Sequence, residues 1–121
     1  MAKGIQALHS RLIIHRDIKC ENILVTDYSR DTSVRIADFG SAVQLESTSD
    51  TADFIIGTPG YTAPEVMRGK RYSLGCDIWS IGALMHMLLS FKAPFINDDH
   101  REYKYRAITE PLDLETDEYL R

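Results

Sequence analysis

From Ile78 to Leu89 the chain reads Ile-Trp-Ser-Ile-Gly-Ala-Leu-Met-His-Met-Leu-Leu, apolar on almost every side of a helical repeat. Such a helix has little polar face to turn toward water, so it predicts an element that runs through a core rather than over a surface. Asp77 stands just before it, where a carboxylate suits the positive end of the helix dipole. The apolar stretch Trp79 to Phe91 is interrupted by Ser80, Gly82, His86 and Ser90 and is too short to span a bilayer, so no membrane insertion is expected. With 121 residues, 44% of them hydrophobic, the chain suffices for one domain and is short for two.

The net charge of −4 is unevenly placed. Residues 1–109 carry 13 basic and 13 acidic side chains, and the acidic excess lies entirely in 110–121. A neutral body without a Lys/Arg stripe argues against nucleic acid as a partner, because counterion release needs clustered cations. The two cysteines, Cys20 and Cys76, form neither a disulfide framework nor a zinc pattern, which fits a reducing compartment. No signal-peptide apolar block opens the chain, because Lys3, Gln6, His9 and Arg11 break it up. The expected location is intracellular, cytoplasmic or nuclear. No feature of the sequence sets an oligomeric state.

Ile5, Leu8 and Leu12 make one face of a helix that begins almost at Met1. The charged stretch His15 to Asn22 follows neither strand nor helix periodicity and reads as a loop. Ile23-Leu24-Val25-Thr26 and Val34-Arg35-Ile36-Ala37 are β-prone runs joined by a turn-rich connector, a hairpin pattern. A long Gly/Ser/Thr/Asp-rich loop follows from Asp38 to Thr62, and loops of that length in compact domains usually serve a function. Pro64 suits the first turn of a short helix through Arg68. A weaker amphipathic helix is expected over Asp98 to Ile108, ahead of the acidic tail.

Chemistry concentrates in the charged loop, His15-Arg16-Asp17-Ile18-Lys19-Cys20-Glu21-Asn22, and in Asp38-Phe39-Gly40 across the hairpin. A strand pair brings its two ends together, so Asp17, Asn22 and Asp38 can face one site. Their oxygens are the hard ligands that Mg²⁺ takes when it arrives with phosphates. Lys19 adds a cation where negative charge would develop. His9, His86 and His100 are too scattered to suggest a metal site, and Met85 and Met87 read as core filler.

The charged loop and Asp38-Phe39-Gly40 are followed by Gly57-Thr58-Pro59-Gly60-Tyr61-Thr62-Ala63-Pro64-Glu65 and by Asp77-Ile78-Trp79-Ser80-Ile81-Gly82. In that order and spacing they resemble the C-terminal lobe of a eukaryotic protein kinase of the serine/threonine type. Asp-Phe-Gly alone is a weak match; the eight-residue loop and the joint order are specific. The resemblance implies an α+β fold, mainly helical with a short β-hairpin, in which residues 1–121 are a partial kinase domain without its N-terminal lobe. It implies phosphorylation of serine and threonine hydroxyls of protein substrates with ATP and Mg²⁺. Asp17 would orient the substrate hydroxyl and accept its proton, and Asn22 and Asp38 would hold the metal ions. Lys19 would offset charge on the transferred group and, like Thr58, resembles serine/threonine-directed members. Gly40 would let the backbone turn away from the metal in a conformation closed to other residues. Thr58 and Glu65 would belong to the activation segment. His15 and Phe39 would pack internally, Trp79 would fill the core, and Asp77 would accept backbone hydrogen bonds from the loop.

Arg16 before Asp17 resembles kinases switched on by a phosphate on that segment. Three residues before Gly57, where many relatives carry a phosphorylatable threonine, this chain has Phe54, and the nearest hydroxyls are Thr51, Ser49, Thr48 and Ser47. Cys20 stands where many relatives have proline. The helix followed by Ala93-Pro94-Phe95 is faintly similar to calcium/calmodulin-dependent members. No glycine-rich G-x-G-x-x-G occurs, and Lys3 is the only lysine before the loop. The expectation is therefore a kinase fragment weak or inactive alone; the alternative is a non-catalytic, kinase-like binding module.

Overall fold

The computed structural model describes residues 1–27, 33–92, 94 and 109. Helix α1 (Ala2–His9) opens the chain and buries Ile5. Leu12 then takes a left-handed φ of 58°, which turns the chain out of the helix and into strand β1 (Ile13–Ile14). β1 pairs antiparallel with β4 (Val43–Gln44), Ile13 facing Gln44 and Ile14 facing Val43. This short ribbon, absent from the sequence expectation, closes residues 15–42 into one excursion. Nested within it, β2 (Ile23–Val25) pairs antiparallel with β3 (Val34–Ile36), with Ile23 opposite Ile36. The expected hairpin thus forms; its connector 28–32 lies outside the described residues.

Helix α2 (Pro64–Met67) starts at a proline, whose missing N–H costs nothing in a first turn, and buries Val66 and Met67. Helix α3 (Gly75–Ser90) starts three residues before the predicted one and ends at Phe91, which is left-handed (φ 56°) and donates its N–H to Met87 O at 2.9 Å. The expectation that α3 runs through a core needs correction. Cys76, Asp77, Ser80, Ala83 and Leu84 form one buried stripe, whereas Ile78 is 56% and Leu88 60% exposed, with Met85 and Leu89 similar. Trp79 likewise only half-buries, against the rim of the core. The predicted helix over Asp98 to Ile108 and the acidic tail lie outside the described residues. No helix among the described residues is long and apolar enough to cross a membrane.

Two apolar clusters hold these pieces. One joins Ile14, Leu45, Ala63, Val66, Tyr72 and Cys76; the other joins Ile5, Ile18, Tyr61, Ala83 and Leu84. Ile14 and Ile18 are both fully buried, one in each cluster. The charged loop is therefore pinned at two apolar points four residues apart. Burying such a side chain contributes roughly 1.5–3 kcal/mol, so the clusters hold the polar residues between them in a fixed place.

Candidate active site

Asp77 organises the loop from beneath. Its fully buried carboxylate accepts the N–H of His15 through Oδ2 and that of Arg16 through Oδ1, both at 2.9 Å. A third partner is the His9 ring, whose Nε2 lies 2.9 Å from Oδ2. Arg16 has φ 68°, a left-handed conformation that costs a bulky residue on the order of 1–3 kcal/mol. The fork from Asp77 offsets that cost and fixes the backbone immediately before Asp17. The buried His15 ring lies 3.0 Å from Ala37 O through Nε2 and accepts the Asp17 N–H through Nδ1 at 3.3 Å. One imidazole therefore bridges the loop to the residue before Asp38.

The remaining polar side chains converge on Asp17. Thr58 donates to Asp17 Oδ1 at 2.6 Å and accepts from Lys19 Nζ at 3.0 Å. Lys19 Nζ also pairs with Asp17 Oδ2 at 2.9 Å. Buried Asn22 donates through Nδ2 to Asp17 O at 2.8 Å and to Asp17 Oδ2 at 3.3 Å, so its amide oxygen faces the other way. Partial burial works against the Asp17 charge, but the hydrogen bond from Thr58 and the bond and charge of Lys19 outweigh it, with Asn22 helping. Its pKa ends below the ordinary 3.8. The hydrogen bond to Asp17 raises the Lys19 pKa in turn, against some desolvation, and the charges of Asp17, Glu21 and Asp38 add to the rise.

Asp38 reaches the same place through the hairpin. Ala37 donates its N–H to Asn22 O at 2.9 Å, extending the β2–β3 ladder by one rung, so Asp38 stands one residue beyond the partner of Asn22. Here the expectation for Gly40 is corrected. The left-handed residue is Asp38 itself, at φ 61°, and Gly40 is not among the positive-φ glycines. Gly40 instead donates its N–H to Asp38 Oδ1 at 3.1 Å, and a Cβ there would stand 3.2 Å from that oxygen. Phe39 was expected inside and is 50% exposed, although its ring still meets His15 edge-on at 5.1 Å.

Of the other predicted positions, Glu65 is half-buried in α2, and its charge, after burial and Asp77, helps push the Cys76 thiol up to about 12. Thr51 is exposed on the segment beyond β4. Arg16 directs its side chain to Ser41 O (2.5 Å from Nε) and to the Tyr72 hydroxyl (3.3 Å from Nη1). Cys20 starts the 3-10 turn Cys20–Asn22 and hydrogen-bonds Tyr61, whose hydroxyl is pushed up to about 12 by burial and by that thiol. Among the described residues no group of three or more His, Cys, Asp or Glu side chains is placed to hold a metal ion.

Against families of known proteins, the protein kinase domain matches residues 1–119. The chain belongs to the protein kinase family. It is a kinase-domain fragment of mixed helix and small sheets. Rhodopsin kinase GRK1 of Rattus norvegicus is 34% identical over 113 residues, covering 90% of this chain and 20% of that protein. Protein kinase C delta type of Homo sapiens is 37% identical over 118 residues, 98% of this chain and 16% of that protein. Serine/threonine-protein kinase PLK1 of Xenopus laevis is 45% identical over 92 residues, 76% and 15% respectively. The kinase chain thus spans a fifth or less of the length of these relatives.

One member of the site went unassigned in the sequence. His9 read as an ordinary imidazole, and its place six residues before the loop does not announce Asp77. Thr58 was singled out by resemblance, but its bonds to Asp17 and Lys19 cross the fold, and no local pattern announces them.

Proposed function

We propose that this chain supplies the C-terminal-lobe part of a protein kinase that phosphorylates serine and threonine hydroxyls with Mg²⁺ and ATP. One observation carries the reading: Asp17, Lys19, Asn22 and Thr58 form a single hydrogen-bonded group, with Asp38 one rung away. The donor set fits the cofactor. Asn22 commits its nitrogen to Asp17 and turns its oxygen away, and Asp38 is an exposed carboxylate; these are the two hard oxygens that would hold magnesium. Two protein ligands are few for that ion, which ordinarily completes its shell with phosphate and water. Bound Mg²⁺ and ATP supply the phosphoryl group and the cation charge that offsets its oxygens.

The chain's own residues do the rest. Asp17 is ionised at neutral pH and retains acceptor capacity beyond its bonds to Thr58 and Lys19, so it binds and orients an incoming hydroxyl. With its pKa lowered, it is a weak proton store, and orientation is its larger contribution. Lys19 stays protonated and places a positive charge beside that hydroxyl. Thr58 ties the segment that faces the substrate to Asp17.

Two features support the reading that the 121 residues act as a portion of a larger enzyme. No glycine-rich loop over the phosphates is encoded in them. Leu24, Val25 and Phe39, on and beside the hairpin, are exposed large apolar side chains that a further part of the enzyme would cover. The test is phosphotransfer from Mg-ATP to a serine- or threonine-containing peptide, run with the 121-residue chain and with the full reading frame that contains it. The expected result is transfer by the longer polypeptide, little by the shorter, and a loss of about 10²–10⁴-fold in Asp17→Asn. Nucleotide-independent peptide binding with no transfer by either would favour the non-catalytic module instead. Full activity in Asp17→Asn would overturn the assignment of roles.

A further inference from the structure

Residues 41–63 pass through β4 to α2 with little backbone pairing beyond the β1–β4 ribbon, and besides Thr58 a second side chain ties them to the loop. Tyr72, 3% exposed, exchanges two backbone hydrogen bonds with Ala52, both at 2.9 Å. Its hydroxyl accepts from Arg16 Nη1 at 3.3 Å and donates to Phe54 O at 2.6 Å. A phenol has one proton to give, so this hydroxyl is used in both senses at once. Arg16 meanwhile donates from Nε to Ser41 O at 2.5 Å, and its own N–H is held by Asp77. One guanidinium therefore grips the segment near its start and, through Tyr72, near its middle.

A phosphate bound to Arg16 would make the same connection with charge. Here neutral groups make it. Phe54 offers its backbone carbonyl, and its side chain, 68% exposed, has no hydroxyl to modify. The space lined by Arg16, Tyr72, Val66 and Cys76 is about 10 Å³, room for about one water and not for a phosphate.

We propose that Tyr72 is a positioning residue that holds the segment 41–58 against Arg16 without phosphorylation, so that order in this segment is built in rather than switched on. The functional half of this proposal rests on the kinase reading above; the structural half does not.

The test is amide hydrogen exchange on the unphosphorylated 121-residue chain and on Tyr72→Phe, which keeps the buried ring and removes the hydroxyl. The amides at positions 52 and 72 are expected to exchange about tenfold faster in Tyr72→Phe, with those of His15 and Leu45 unchanged. Equally fast exchange at 52 and 72 in both proteins, or a parallel rise at His15, would overturn the proposal. Phosphatase treatment of the protein made in eukaryotic cells is expected to leave exchange at 52 and 72 unaltered, and a tenfold rise would count against it. In the full reading frame, Tyr72→Phe is expected to raise the peptide KM about tenfold and leave that for ATP unchanged, because it loosens the segment carrying Thr58. A fall in kcat with both KM values unchanged would mean a structural role only. Because exchange is read without turnover, a failed phosphotransfer assay and a failed tether give separate answers.

Discussion

Thr58 Oγ1 lies 2.6 Å from Asp17 Oδ1 although 41 residues separate them, and it accepts a hydrogen bond from Lys19 at the same time. This hydroxyl joins the segment after Asp38 to the loop before it. Thr58→Val keeps the shape and removes the bond. The expected result is a loss of about 1 kcal/mol in stability and a rise in the Asp17 pKa toward its ordinary value, read by NMR titration of the carboxyl carbon. An unchanged Asp17 titration would show that Lys19 and Asn22 alone hold the charge.

The pH dependence of the pair has a defined sign. Asp17 is lowered from 3.8, so its contribution to stability is complete above that value and lost as pH falls through the folded-state pKa. Lys19 is raised from 10.5, so its contribution is complete below that value and lost as pH rises through its folded-state pKa. The wild-type minus Asp17→Asn difference in melting temperature should be flat between these limits and shrink below pH 3.8. A difference that changes between pH 5 and 9 would contradict the assignment.

Asp77→Ala should be among the most damaging single changes. It strands the N–H groups of His15 and Arg16 and removes the backbone bonds that offset the left-handed conformation of Arg16. Breaking such buried, charge-assisted bonds costs on the order of 3–5 kcal/mol. Asp77→Asn keeps one acceptor and should cost about half as much. Chemical denaturation of both variants checks the order, and equal stabilities would mean that the fork adds little.

Gly57→Ala tests the turn ahead of Thr58. Gly57 has φ 121°, which residues with a Cβ rarely adopt, and a Cβ there would stand 2.8 Å from Thr62 Oγ1 and 3.1 Å from Arg16 O. Thr62 cannot swing aside freely, because it donates to Thr58 O at 2.9 Å. A loss of roughly 2 kcal/mol, together with displacement of Thr58 from Asp17, is expected by denaturation and by chemical shifts. A neutral substitution would mean that the turn rearranges at little cost.

Local chemistry was legible in the linear order of residues. Alternating β-prone runs around a turn-rich connector specify the β2–β3 hairpin, and a hairpin by itself brings Asn22 beside Ala37, which delivers Asp38 to the loop. Pro64 placed α2, and the polar types at 17, 19, 22 and 38 pointed to the phosphate-and-metal chemistry proposed above. These are short-range effects of backbone preference and side-chain type, so neighbours along the chain suffice to state them.

Contacts between residues far apart in the chain required the folded molecule. The β1–β4 ribbon joins two-residue strands too short to carry a periodic pattern. The bare outer face of α3 could not be read from an apolar run, because the run says what the helix can bury and not what lies beside it. The left-handed turn expected at Gly40 occurs at Asp38, where the Gly40 N–H bonds the carboxylate. The bonds of Thr58 to Asp17, of His9 to Asp77 and of Tyr72 to Arg16 and Phe54 all cross the fold. Residue type tells what a side chain is able to donate or accept; only the packing of Ile14 and Ile18 into their two clusters determines which partner stands within reach.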